Sequence, residues 1–140
     1  MGPDDAQAVG QRRRFLRRPQ EVAAARRFVG DALAGAADDR ETVRLLVSEA
    51  VTSVLDQPGG QADGSFEVGW ALRGDRLHVE VSDDGGPARL RRRIHEVGAP
   101  GGWGLQLVQA LASRWGVRED PGGRAIWFDL DLRGQPSRAT

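Results

Sequence analysis

One run of apolar residues with helical spacing constrains the fold more than any other feature of the chain. From Asp38 onward the apolar side chains recur at the spacing that places them on one face of an α-helix. Asp38 and Glu41 stand in capping-box positions at its start, and Pro58-Gly59-Gly60 follows its end. The pattern therefore predicts a long helix with one buried face, formed by Val43, Leu46, Val47, Ala50, Val51 and Val54.

After this helix the apolar period changes from about 3.6 residues to about 2, which is typical of strands. The segments 66–72 and 77–81 alternate in this way, and Gly74-Asp75 between them predicts a tight hairpin turn. A third helix is predicted to end at Gly116, and a last strand runs through 126–132. The apolar face of the third helix would contain Leu105, Val108, Leu111, Ala112 and Trp115.

The chain before the long helix predicts a strand and another helix. The run RRRFLRR at 12–18 favours an edge strand whose Phe15 faces the core between solvated arginines, and the alternative is a nucleic-acid-binding arm. Pro19 suits the first turn of a helix that would end near Gly35. This order of elements predicts an α+β two-layer sandwich with helices on one face of a mainly antiparallel sheet. We expect one domain at 12–133, with flexible tails at 1–11 and 134–140.

Composition excludes several chemistries. The chain has 20 basic and 20 acidic residues and a net charge of zero, so a general polyanion binder is not expected. It lacks cysteine, lysine and tyrosine, which excludes disulfides, thiolate zinc sites, Schiff bases and a P-loop lysine. No apolar run approaches the roughly 20 residues of a membrane span, and no secretion signal is evident, so we expect a cytoplasmic protein.

Two glycine-rich segments and one pair on the long helix are candidates for chemistry. In VEVSDDGGPARL, residues 79–90, Asp83 ends a strand beside glycines, which suits either recognition of an amine or an ordinary turn. In GAPGGWGLQLV, residues 98–108, glycines open a helix, which suits either phosphate binding or a plain flexible loop. On the long helix, Glu49 and Ser53 are one turn apart at the flank of the apolar stripe.

Together and in this order, three motifs resemble those of the GHKL ATPases, the gyrase, histidine kinase and MutL type. The resemblance is to the small anti-sigma factor serine kinases of actinomycete-type bacteria, and it covers residues 13–132. LLVSEAVTSVL is similar to the N box of that family, VEVSDDGG to the first glycine box, and GGWGLQLVQALASRWGV to the second. The resemblance implies the Bergerat-type ATP-binding fold, in agreement with the α+β sandwich.

The resemblance also implies roles for individual residues in nucleotide binding. Asp83 would accept a hydrogen bond from the adenine amino group, and Gly85 would let the base lie against the backbone. Gly102, Gly104 and Leu105, at the start of the third helix, would bind the nucleotide.

For catalysis, the resemblance makes Glu49 the general base that takes a proton from a target serine or from water. Ser53 stands where the family usually has an asparagine that ligates Mg²⁺, and Pro87 stands where another glycine is usual. A serine hydroxyl can ligate Mg²⁺, but its side chain is shorter. The resemblance therefore implies ATP as a ligand and leaves the Mg²⁺ site weakened.

Three functions follow from these features. The first is an ATP-binding anti-sigma-type regulator that alternates between a sigma factor and an anti-anti-sigma protein of the STAS type, whose serine it phosphorylates. The second is a pseudokinase with the same partners and weak or no turnover of ATP. The third, a nucleic-acid regulator using the arginines at 12–18, is disfavoured by the zero net charge. Members of the family commonly dimerise, so a homodimer is a candidate assembly, without membrane or direct nucleic-acid contact.

Overall fold

The computed structural model describes residues 9–33, 37–56, 64–83, 105–120 and 123–132. In this part of the chain five strands form one sheet in the order β1-β2-β3-β5-β4, and all neighbouring strands are antiparallel. The strands are β1 (Val9–Leu16), β2 (Ser65–Arg73), β3 (Arg76–Asp83), β4 (Arg114–Asp120) and β5 (Gly123–Asp131). The helices are α1 (Gln20–Gly30), α2 (Ala37–Asp56) and α3 (Gln106–Leu111). The predicted α+β class with an antiparallel sheet is confirmed.

The apolar stripe of α2 forms the centre of the core. All six of its predicted side chains are fully buried. They belong to one hydrophobic cluster with the inward side chains of the sheet, and burial of each Val, Leu, Ile or Phe side chain contributes about 1.5–3 kcal/mol. The sheet contributes Phe66, Val68, Leu77, Val79, Val81, Ile126 and Phe128. The two-layer arrangement follows from joining one helical stripe to one face of the sheet.

The hairpin between β2 and β3 also forms as predicted. Arg73 pairs with Arg76 across the turn, and Gly74 between them has a φ of 59°, a left-handed conformation that glycine adopts without a steric penalty. This hairpin places β3 in the middle of the sheet, so that the end of β3 at Asp83 lies beside β2 and β5.

Strand β1 is an edge strand, as the RRRFLRR pattern predicts. Phe15 is buried and its ring stacks on that of Phe66 with 5.4 Å between the centroids, whereas Arg12, Arg13 and Arg14 are exposed. The strand begins at Val9, so residues 9–11 belong to it and the tail assignment of 1–11 is wrong there.

Helix α1 ends at Gly30 rather than near Gly35. Ala32 and Leu33 lie in a turn in which the amides of both residues donate to carbonyls three residues earlier. Leu33 is still buried, with 2% of its surface exposed. The turn keeps Leu33 on the core side. For this reason the apolar spacing of the sequence extends beyond the end of the helix.

The prediction of a third helix extending to Gly116 is wrong. Helix α3 ends at Leu111, Ala112 has an extended backbone, and Trp115 and Gly116 lie in β4. The amide of Ser113 donates to the carbonyl of Asp129, which begins the pairing of β4 with β5. Leu111, expected on the apolar face, is 45% exposed. Pairing with the following strand, β5, thus overrides the local helical spacing.

Within the described ranges, no helix is both long enough and apolar enough to cross a lipid bilayer.

Candidate functional site

The carboxylate of Glu49 joins α2 to the first turn of α3. Its Oε1 accepts a hydrogen bond from the amide of Val108 at 2.7 Å, and its Oε2 accepts one from the amide of Leu107 at 2.9 Å. The first amides of a helix have no partner within the helix, and a carboxylate interacts favourably with the positive end of the helix dipole. Glu49 therefore acts as the cap of α3, supplied by another helix.

This contact changes the interpretation of the second glycine-rich segment. Free amides at the start of this helix were expected to bind phosphate, but the amides of Leu107 and Val108 are bound to Glu49. Gly102 and Gly104 lie outside the described residues. Leu105 is 1% exposed and belongs to the hydrophobic core, while its carbonyl accepts the amide of Gln109. A ligand would therefore contact Leu105 only through backbone atoms, because the side chain is buried in the core.

Ser53, one turn after Glu49, lies at the boundary of the buried stripe of α2. Its surface is 7% exposed, so little of the residue is presented to solvent. Its neighbours in the stripe, Ala50 and Val54, are fully buried. A metal ligand at this position would have a short reach, because both the side-chain length and the burial limit it.

Asp83, the last residue of β3, is the most completely buried acidic side chain of the described site. Its carboxylate is 0% exposed and forms an ion pair with Arg17, whose Nη1 lies 2.8 Å from Asp83 Oδ2. The other terminal nitrogen of Arg17, Nη2, donates to the carbonyl of Leu55 at the end of α2. Arg17 thus connects the end of β1, the end of β3 and the end of α2.

Sequence reasoning missed Arg17, because it counted this arginine among the solvated residues of the 12–18 run. A usable signal was present. Arg17 is two residues after Phe15, so strand alternation places both side chains on the same, core-facing side. The Arg17 side chain is 7% exposed, against 58% for Arg12 in the same run.

Helix α2 carries both parts of the site. Glu49 and Leu55 are six residues apart, which corresponds to about 9 Å along the helix axis. The Asp83–Arg17 pair lies at the carboxyl-terminal end of α2, and the capped start of α3 lies near its middle. The predicted site residue Gly85 and the departure at Pro87 lie outside the described residues.

A second polar cluster lies on the opposite face of the sheet. The Nδ1 of His78 lies 2.7 Å from Asp129 Oδ1, its Nε2 lies 3.9 Å from Glu80, and its ring stacks on Trp127. The carboxylates of Glu80 and Asp129 raise the pKa of His78 above 6.5, although partial burial opposes the shift. This cluster is separated from Glu49 and Asp83 by the sheet.

Comparisons with known proteins give the chain a family. The model of the histidine kinase-like ATPase domain matches residues 15–130. A curated relative, the serine-protein kinase RsbW of Listeria monocytogenes, is 35% identical over 83 residues, which cover 51% of this chain and 53% of the relative. The serine-protein kinase RsbW of Halalkalibacterium halodurans is 29% identical over 97 residues, covering 61% of this chain and 59% of the relative. The chain thus spans little more than half the length of these relatives in either match.

A solved structure agrees on the fold. The crystal structure of the RsbU and RsbW domains of Rv1364c from Mycobacterium tuberculosis superposes with a TM-score of 0.65 at 18% identity. The match covers 89% of this chain and 32% of that chain. The architecture built from the buried stripe of α2 and the antiparallel sheet is therefore that of a known domain, and the family model spans nearly all of it. The chain belongs to the histidine kinase-like ATPase domain family.

Proposed function

We propose that the chain is an ATP-binding regulator of the anti-sigma-factor type. It alternates between a sigma factor and an anti-anti-sigma protein of the STAS type, and it transfers phosphate from ATP to a serine of the latter. The relatives named serine-protein kinase RsbW support this assignment, as do the three ordered motifs of the sequence. The single structural observation that carries it is the contact of Glu49 with the start of α3, because it joins the first of these motifs to the third.

Among the described residues, Asp83 has the chemistry needed to recognise the amino group of adenine. Asp83 is a buried carboxylate at the end of a strand, and an exocyclic amine is a hydrogen-bond donor that such an acceptor selects. Guanine and hypoxanthine carry a carbonyl oxygen at the corresponding position and would be repelled. Gly85, Gly102 and Gly104 are proposed to complete the nucleotide site beside Asp83.

The fit to Mg²⁺ is weaker. Ser53 would supply one hydroxyl ligand, with phosphate oxygens and waters supplying the others, as is common for Mg²⁺. When bound, Mg²⁺-ATP would supply the phosphoryl group and neutralise part of its charge. Glu49 would accept the proton of the attacking hydroxyl. Each of its oxygens already accepts one amide hydrogen bond, and each retains a second lone pair for this purpose.

The second candidate function is a pseudokinase with the same partners. Two observations favour it, namely the burial of the short Ser53 side chain and the engagement of both Glu49 oxygens by α3. In this version the protein binds ATP and its partners but transfers phosphate slowly or not at all. The two candidates share the nucleotide site and differ only in turnover.

Calorimetric titration with ATP, with and without Mg²⁺, tests the shared part. The wild type should bind ATP, and Asp83→Asn should lower the affinity by about tenfold or more, since a hydrogen bond to a charged group is lost. Asp31→Asn is a matched control, because Asp31 is an exposed acid at the end of α1. Absence of ATP binding by the folded wild type would refute the proposal.

Transfer of radioactive phosphate from ATP to a STAS-type protein then separates the two candidates. A serine-phosphorylated product that is lost in Glu49→Gln supports the kinase. Tight ATP binding without transfer supports the pseudokinase.

A further inference from the structure

Arg17 differs from its neighbours in the arginine run. It follows the end of β1 on the core-facing side, and its amide donates to the carbonyl of Gly64, so the pairing with the β2 side continues past Leu16. Only 7% of its side chain is exposed. By contrast, the next residue, Arg18, is exposed. Burial of one arginine in an otherwise solvated run requires specific partners.

The partners of Arg17 fix a carboxylate in place. One terminal nitrogen of the guanidinium lies 2.8 Å from Asp83 Oδ2, and the other donates to the carbonyl of Leu55 at 3.1 Å. Because the guanidinium is planar and rigid, anchoring Nη2 on α2 holds Nη1 beside Asp83 as an ion-pair contact. The Asp83 carboxylate is thus held by a group that is itself attached to two other elements.

Stability alone does not account for a buried pair at this position. Removing two charges from water costs free energy, and well-packed apolar residues of similar volume often stabilise a fold as well or better. A buried ion pair is therefore explained better by a requirement for the carboxylate itself. Asp83 is the residue to which the proposed function assigns selection of adenine.

We propose that Arg17 is the positioning residue of the adenine-selecting carboxylate. This inference rests on the proposed function, since it concerns how the same site recognises the base. Arg17 acts through Asp83: it sets the orientation of the carboxylate, and it does not contact the nucleotide. Without the guanidinium, Asp83 reorients and the site loses both affinity for ATP and discrimination between purines.

The experiment measures discrimination between ATP and inosine triphosphate, which carries a carbonyl oxygen where ATP carries the amino group. Affinities for both nucleotides are determined by calorimetry on the full chain. Arg17→Gln should lower the ratio of the two affinities by about tenfold, the loss expected for a hydrogen bond to a charged group. Arg18→Gln is the control, because it removes the adjacent exposed arginine. A merely structural role for Arg17 would lower both affinities and leave their ratio unchanged.

Two further variants keep the test decisive if Arg17→Gln folds poorly. Arg17→Lys retains the charge beside Asp83 but loses the planar fork, so it should fold and show a smaller decrease of the ratio. The second variant places Arg17→Gln in an Asp83→Asn background, so that no buried carboxylate is left without its counter-ion. Arg17→Gln should leave the affinity ratio unchanged there, because Arg17 acts only through the carboxylate of Asp83.

The outcomes separate the inference from the function on which it rests. A wild type that discriminates, together with Arg17 variants of unchanged ratio, overturns the role of Arg17 and leaves the function standing. A higher ATP affinity in Arg17→Gln also overturns it, since Arg17 would then shield the carboxylate. A wild type that does not distinguish the two nucleotides refutes the adenine role of Asp83 and the inference with it.

Discussion

Glu49 Oε1 and the backbone amide of Val108 lie 2.7 Å apart, although 59 residues separate them in sequence. The same carboxylate binds the amide of Leu107, so one side chain of α2 satisfies two of the amides at the start of α3. Helix α3 has only six residues, too few for a helix to be stable without tertiary support. The Glu49 carboxylate is therefore one of the tertiary contacts that support α3, together with the burial of Val108 in the core.

Glu49→Ala should lower the free energy of unfolding by about 1–2 kcal/mol, because two amides lose their acceptor. Urea denaturation followed by circular dichroism measures this change. Amide exchange at Leu107 and Val108 should accelerate in the same variant. Thr52→Ala, at an exposed position on the same helix, is the control and should have little effect. Unchanged exchange at both amides would contradict the capping role.

Ser53→Asn should increase the Mg²⁺ dependence of ATP binding, since a carboxamide oxygen reaches further than a hydroxyl. The affinity ratio with and without Mg²⁺ is the quantity to measure, and Ser53→Ala provides the matched variant without an oxygen ligand. Because Ser53 is 7% exposed, the larger side chain should also cost about 1–3 kcal/mol of stability through overpacking. Equal Mg²⁺ dependence in the wild type and in Ser53→Asn would show that Ser53 does not weaken the metal site.

His78 should make stability depend on pH. Its pKa in the folded state is raised from 6.5 by Glu80 and Asp129, so its contribution is fully present below the unfolded value and is lost as the pH rises through the folded value. The stability difference between the wild type and His78→Gln should therefore be larger at pH 5.5 than at pH 8.5. We expect a change below about 1 kcal/mol, because the side chain is partly exposed.

The carboxylate partners of His78 provide the check on this prediction. Asp129→Asn should reduce the pH dependence, since it removes the acid at 2.7 Å, while Arg114 on β4 lies 4.0 Å from the same carboxylate and moderates its effect. Unfolding curves collected between pH 5 and 9 measure the effect. A difference that grows with increasing pH would contradict the direction of the shift.

Two glycines of the sheet should respond differently to alanine. A Cβ at Gly10 on β1 would collide with the backbone carbonyl of Trp70, so Gly10→Ala should destabilise the protein by about 1–3 kcal/mol. The atoms nearest to a Cβ at Gly69 would belong to the flexible side chain of Arg12, at 3.1 Å. Gly69→Ala should therefore cost less stability than Gly10→Ala, because the Arg12 side chain can move away and the Trp70 backbone cannot. Thermal unfolding of both variants tests the difference, and equal destabilisation would contradict it.

The parts of the fold that the sequence predicts well depend on local patterns. The stripe of α2 and the hairpin around Gly74 follow from side-chain periodicity and from one turn, and both are confirmed. The end of α3 could not be predicted in this way. Leu111 and Trp115 retain helical spacing, and only the pairing of β4 with β5 shows that Trp115 belongs to a strand.

In the candidate site, local patterns predict the positions of some residues but not the contacts between them. Glu49 and Ser53 could be placed one turn apart from their spacing alone, and helix α2 contains both. The contact of Glu49 with Val108 and that of Arg17 with Asp83 depend on how distant elements meet, and no local pattern encodes them. The motifs therefore indicate which residues matter, whereas the structure shows which other groups hold them.

The Arg17–Asp83 ion pair affects the register in which β1 pairs with β2 at the edge of the sheet. Phe15 is opposite Phe66, and Phe66 is opposite Asp83, so the three side chains form one row across β1, β2 and β3. A slip of β1 by one residue would turn Phe15 to the outer face and take Arg17 away from Asp83. Such a slip would expose an aromatic ring and leave a buried charge without its counter-ion. Edge strands are prone to misalignment. In β1, the burial of the Phe15 ring and the Arg17–Asp83 ion pair both favour the native register, and both lie at the same end of the strand.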